Sequence, residues 1–136
     1  MEFVIEIARA VLDEVVAHAR AAAPGECCGL LVGRADAIVD AVRAANIADD
    51  PVRRFVVDPK DHIDGRRQAR TRGLAVVGFY HSHPVSPAEP STTDVAEAGY
   101  ADHLHLIVSL SGNAPGIAVF RLESGNFRAV PFVTVG

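Results

Sequence analysis

The chain has 136 residues, 49% hydrophobic and 22% charged, a composition that suits one folded domain over 1–136 and excludes a disordered segment. A formal net charge of -4 offers no basic footprint for nucleic acid. Asp13, Glu14 and Arg20 interrupt the early apolar stretch, so neither a signal peptide nor a membrane span is expected. The only cysteines, Cys27 and Cys28, are neighbours, which gives no disulfide framework and fits a reducing cytoplasm.

Phe3 to Ile7 alternates like a strand. From Ala8 to Ala22 the apolar residues Val11, Val15, Ala19 and Ala22 recur at helical spacing, and Pro24-Gly25 ends the helix. Glu26 to Gly33 reads as a buried strand opened by a carboxylate, and Ala37 to Ala45 as a second. Asn46 to Pro51 is loop-like, and Arg53 to Val57 reads as a short strand. Asp58 and Pro59 suit the N-cap and first position of a helix that runs toward Arg70 and stops near Gly73, with Gly65 as a weak point inside it. Leu74 to His83 is the central strand, followed by a loop stiffened by three prolines from Pro84 to Pro90 and a short helix from Thr92 to Tyr100. Three further strands are expected at Leu104–Leu110, Ile117–Leu122 and Phe127–Val133, the last placed at a sheet edge by Pro131.

Chemistry concentrates at His81-Ser82-His83. Residues two apart on a strand share a face, so both imidazoles project together and Ser82 points away. Imidazole nitrogen suits zinc, and Asp94, beyond the proline loop, can supply a carboxylate as third ligand. Three protein ligands leave one position open, the arrangement of a catalytic site. Ser91-x-x-Asp94 also resembles a helix capping box, an alternative that leaves the two same-face histidines unexplained. A second pair, His103 and His105, has no carboxylate following at a useful distance and reads as surface or packing histidines; His18 and His62, on the two helices, read as partly buried or solvated and not as ligands. A hydrolase of this kind needs a proton shuttle. Glu26 is a candidate by context, although an exposed strand-start residue is the plainer reading of its position.

Together, Glu26, His81-x-His83-Pro84 and Ser91-x-x-Asp94 resemble the JAMM motif of the MPN+ zinc metalloproteases, in their compact stand-alone prokaryotic form. The surrounding text is similar too: Pro24-x-Glu26-x-Cys28-Gly29-Leu30-Leu31-x-Gly33, Phe55-Val56-Val57-Asp58-Pro59, Val77 to Pro84, and Ile107-Val108-Ser109-Leu110. The resemblance implies an α/β fold, a single MPN domain with a cytidine-deaminase-like curved mixed β-sheet flanked by helices. It implies one zinc ion held by His81, His83 and Asp94, with Glu26 as general acid/base and Ser91 stabilising the oxyanion. The implied substrate is a ubiquitin-like protein of the sulfur-carrier type, or its conjugate, cut after its C-terminal diglycine. A side-chain-free diglycine suits a narrow groove, and an exposed strand edge beside the zinc could hold it by β-augmentation.

The alternatives are a general isopeptidase that removes ubiquitin-like modifiers from lysines and a non-catalytic scaffold, which would have lost ligands that this chain retains. Deamination is disfavoured, since the zinc deaminases use a His/Cys-x-x-Cys site absent from this sequence. Phe79 and Tyr80 read as packing residues. One of Cys27 and Cys28 is expected to face the core. Arg53, Arg54, Arg66, Arg67, Arg70 and Arg72 form either a solvated face or a dock for an acidic ubiquitin-like partner.

Overall fold

Ile5 and Ile7 are buried and Glu6 between them is exposed, so the first strand, β1 (Ile5–Ala8), has one apolar face. The helix α1 (Arg9–Ala22) buries Val11, Val15 and Ala19, one stripe at four-residue spacing, against that face. The computed structural model describes residues 4–91 and 102–136. The helix expected from Thr92 to Tyr100 therefore lies outside the described residues.

β2 (Cys28–Arg34), β3 (Ala37–Ala44), α2 (Pro59–Thr71), β4 (Ala75–His83), β5 (Leu104–Ser109), β6 (Gly116–Glu123), β7 (Asn126–Ala129) and β8 (Phe132–Val135) follow. Among the described residues eight strands form one mixed sheet in the order β7-β6-β5-β4-β2-β3-β1-β8. β4 is central, antiparallel to β2 and parallel to β5. Both of its edges are occupied, so the free strand edge expected beside the histidines is not in β4; the sheet's edges are β7 and β8.

The two faces carry separate cores. α1 covers Ile5, Ile7, Cys27, Leu31, Ile38, Tyr80, Leu106 and Val108. α2 covers Leu30, Val32, Val76 and Phe79. Both Val76 and Phe79 face α2 because the β2–β4 register slips by one residue between Leu31 and Val32, a bulge that restores the parity of the pattern.

α2 begins and ends as its local chemistry requires. Asp58 accepts a hydrogen bond from the Lys60 amide at 2.9 Å, and Pro59 occupies the first turn. At the far end Gly73 is left-handed (φ +71), the Gly73 amide bonds to Arg70 O and the Leu74 amide to Ala69 O, a Schellman closure. Gly65, a weak point in the sequence, is where α2 rests on β2: a Cβ there would strike Leu30 Cδ1.

Two expected strands are corrected. Arg53–Val57 is not a strand; residues 51–53 form a turn and only Val57 bridges, to Asn46. The Asn46 side chain occupies Arg54 O and the Val56 amide, the groups a partner strand would use. Phe127–Val133 is two strands. The Val130 amide bonds to Val119 O on β6, whereas Pro131 O accepts from the Ile5 amide on β1. Consecutive residues thus serve opposite sides of the strand order, which requires the sheet to curl until its edges nearly meet. Pro131, with no amide hydrogen, is where the ladder can change sides.

Gly78 shows how tightly β4 is seated. A Cβ there would run into the main-chain carbonyl of Leu104 on β5, which cannot rotate aside. Gly78→Ala is expected to destabilise the fold by about 1–3 kcal/mol, the range for overpacking, read as a lower urea midpoint. An unchanged midpoint would mean that β4 and β5 separate freely.

Candidate active site at the end of the central strand

β4 carries the buried His81 and His83 at its C-terminal end. They face the side of the sheet that Phe79 shares with α2, and their Nε2 atoms lie 3.1 Å apart. His83 Nδ1 is 2.8 Å from the carbonyl oxygen of Pro87. That carbonyl can only accept, so Nδ1 carries the hydrogen and the neutral ring's lone pair sits on Nε2, toward His81. A carbonyl behind the ring is also how a metal-binding imidazole is oriented.

This arrangement fits a metal ion. Two nitrogens on a tetrahedral zinc with bonds of ~2.0–2.1 Å stand about 3.3 Å apart, close to the separation of His81 and His83. Asp94, the expected third ligand, lies outside the described residues.

Sheet register sets Glu26 on the side of the pair. Cys28 is paired with His81, and the Ser82 amide bonds to Cys27 O at 3.1 Å. The same count sets Glu26 across from His83. Directly opposed residues share a face, so Glu26, Cys28, His81 and His83 line one side. Glu26 is 9% exposed, so the plainer reading of an exposed strand-start residue does not hold. Its amide donates to Pro51 O at 2.7 Å and its carbonyl accepts from Asn46 Nδ2 at 2.9 Å.

The loop after His83 is pinned as well as stiff. Ser109 Oγ donates to Ser86 O at 2.5 Å, and the Leu110 amide bonds to His83 O at 3.1 Å. Ser91 is half-buried at the end of this loop. Phe55 was not legible as part of the site. Its ring stacks on His81, centroids 4.3 Å apart and planes inclined by 20°, which makes it a wall of the site.

The remaining candidates fall elsewhere. His103 stacks on Phe79, and His105 meets Phe127 edge-on, so both pack rings as expected. His62 meets Phe79 edge-on and accepts a hydrogen bond from Arg66 Nε at 2.8 Å; burial and the nearby Arg66 lower its pKa. Tyr80 is fully buried, with its hydroxyl 2.7 Å from His18 Nδ1 on α1, and burial holds its pKa far above the ordinary value. Burial, ahead of the neighbouring Arg43, lowers the pKa of His18. Both cysteines are free and buried. Cys27 faces the α1 core. Cys28 faces the histidine side, but burial pushes its thiol up to about 12 and Sγ points to the carbonyls of Ala44 and Ala45, so it stays protonated. Within the basic segment Arg72 pairs with Asp40 at 2.9 Å and Arg53 with Asp50 at 3.8 Å.

Known proteins share this fold and sequence. A solution structure of a protein from Desulfitobacterium hafniense superposes with a TM-score of 0.88 and 29% identity, covering 96% of this chain and 92% of that one. The desampylase of Haloferax volcanii is 34% identical over 114 residues, 79% of this chain and 82% of its own length. The CysO-cysteine peptidase of Mycobacterium tuberculosis is 30% identical over 109 residues, 79% of this chain and 74% of its own. The family model for prokaryotic homologs of the JAB domain matches residues 8–123, a span that takes in Glu26, both histidines, Ser91 and Asp94. By sheet order, by the histidine pair on its central strand and by this match, the chain belongs to the prokaryotic JAB family, a compact branch of the JAMM/MPN proteins.

Proposed function

We propose that this chain is a zinc-dependent peptidase that hydrolyses the bond after the C-terminal diglycine of a small ubiquitin-like protein of the sulfur-carrier type. The observation that carries the reading is the meeting of the His81 and His83 Nε2 atoms at 3.1 Å on the face that Glu26 shares, in a chain similar to a CysO-cysteine peptidase. His81, His83 and Asp94 would hold one zinc ion. When bound, zinc supplies a Lewis acid that polarises the scissile carbonyl and acidifies water.

The side chains do the rest. His83 is held by Pro87 O with its Nε2 lone pair directed into the site. Glu26 takes the proton of the attacking water as the new C–O bond forms. It returns that proton to the amine as the amide C–N bond breaks, leaving a glycine carboxylate and a free amine. Ser91 hydrogen-bonds the oxyanion of the tetrahedral state. Phe55 lies against His81 and narrows the approach, which favours a tail of glycines over one with side chains. Free, buried cysteines fit a reducing cytoplasmic setting.

The test is mass spectrometry of ubiquitin-fold carriers extended past Gly-Gly by a single cysteine or a short peptide. Incubation is expected to yield the carrier ending in Gly-Gly. Cleavage confined to lysine-linked conjugates would instead make the protein a general isopeptidase. No cleavage of either by zinc-loaded protein would favour a scaffold.

A further inference from the structure

We propose that Asn46 is a positioning residue of this site, its carboxamide clasping Glu26 and Phe55 into one unit beside His81. The inference rests on the reading of Glu26 as the acid/base. Asn46 Nδ2 donates to Glu26 O at 2.9 Å and to Arg54 O at 3.1 Å. Its Oδ1 accepts from the amides of Ala48 and Val56, both at 3.0 Å. Both donors and both lone pairs are thus used. A reversed carboxamide would set its NH2 against two backbone amides, so the network fixes the orientation.

What the clasp holds is specific. Arg54 and Val56 flank Phe55, so gripping one carbonyl and the other amide fixes the residue whose ring covers His81. Glu26 precedes β2, and both of its main-chain polar groups are held by this loop: the carbonyl by Asn46, the amide by Pro51 O. The clasp also stands on a firm base. The Ala45 amide donates to Asp61 Oδ2 at 2.8 Å, and Ala45 O accepts from the Asp58 amide at 3.0 Å, both at the first turn of α2. Asn46 itself bridges to Val57. Asn46 therefore transmits the rigidity of α2 to the proton shuttle without touching a reacting atom.

The test uses Asn46→Ala and Asn46→Asp in the full, zinc-loaded chain. The aspartate keeps the two bonds accepted from Ala48 and Val56 but loses both donated ones, to Glu26 O and Arg54 O, so it removes the grip on Glu26 while half of the loop's own network remains. On an extended carrier that the unaltered chain cleaves, kcat is expected to fall about 10- to 100-fold in both variants, the usual cost of misplacing a catalytic group. Zinc content should stay within about twofold, since Asn46 is not one of the ligands, whereas a loosened Phe55 can raise KM, so the fall in kcat is what reads the placement of Glu26. The acidic limb of the pH–rate profile should shift, which a merely structural role would not cause. Amide exchange at Glu26 should quicken by about tenfold as the loop opens locally. An Asn46→Asp protein with unaltered kcat and pH profile overturns the proposal. If the unaltered chain cleaves no carrier, the proposed function falls, and amide exchange alone decides the clasp: unchanged exchange overturns it and faster exchange supports it.

Discussion

In Glu26→Gln the zinc content is expected to stay at its original level while kcat falls by about 10²- to 10⁴-fold, the range general acid–base catalysis supplies. The substitution nearly preserves shape. The main-chain bonds of Glu26, to Pro51 O and from Asn46 Nδ2, do not involve the side chain and persist. What is lost is a group that can accept a proton and return it. In the proposed site other residues hold the metal, so its binding has no reason to change, and KM should move little because a shuttle acts in the transition state. Metal analysis beside steady-state kinetics on an extended carrier checks both halves. A Glu26→Gln protein that turns over at the original rate would remove Glu26 from the chemistry. One that loses its zinc would make it a ligand instead.

That assignment also shows where sequence reading reaches and where it stops. The convergence of His81 and His83 was legible because strand parity is local: residues two apart share a face in any strand. The ends of α2 were legible for the same reason, since Asp58-Pro59 and Gly73 act within one turn of themselves. The surroundings of Glu26 made it a candidate, but they equally suited an exposed strand-start residue. Its place across from His83 follows from extending the antiparallel register of Cys28 and His81 by two residues, and no local pattern encodes the pairing of segments so far apart. The role proposed for Glu26 comes from family resemblance and not from periodicity.

Phe55 and Asn46 mark a different limit. The stretch from Arg53 to Val57 has the composition of a strand, but one carboxamide takes the backbone groups that a neighbour would have paired. A single Asn in a loop-like run carries no sign that it will do so. Gly65 looked like a flaw in a helix because the reason for it, Leu30 Cδ1, belongs to another element. The split at Pro131 follows from the curl of the whole sheet, a property of eight strands together and not of residues 127–133.

The other large effect concerns the metal. Purified protein should hold about one zinc per chain, as a single three-ligand site implies, and His81→Ala, His83→Ala and Asp94→Ala should each lose most of it on dialysis against a weak chelator. Removing even an outer-shell partner of a ligand typically costs about 10- to 100-fold in metal affinity, and removing a ligand itself costs more. The pair's geometry makes the two histidine variants a matched test. Their Nε2 atoms are 3.1 Å apart, so deletion of either breaks the pair and leaves one imidazole with Asp94, a two-ligand site. His105→Ala is the control. That ring sits on β5 against Phe127, and its loss should leave zinc unchanged. Asp94→Ala decides the third ligand. Zinc retained at the original level in that variant would exclude Asp94 and send the search to another carboxylate. Zinc retained in His81→Ala or His83→Ala would overturn the histidine pair as the metal centre, and with it the proposed hydrolysis.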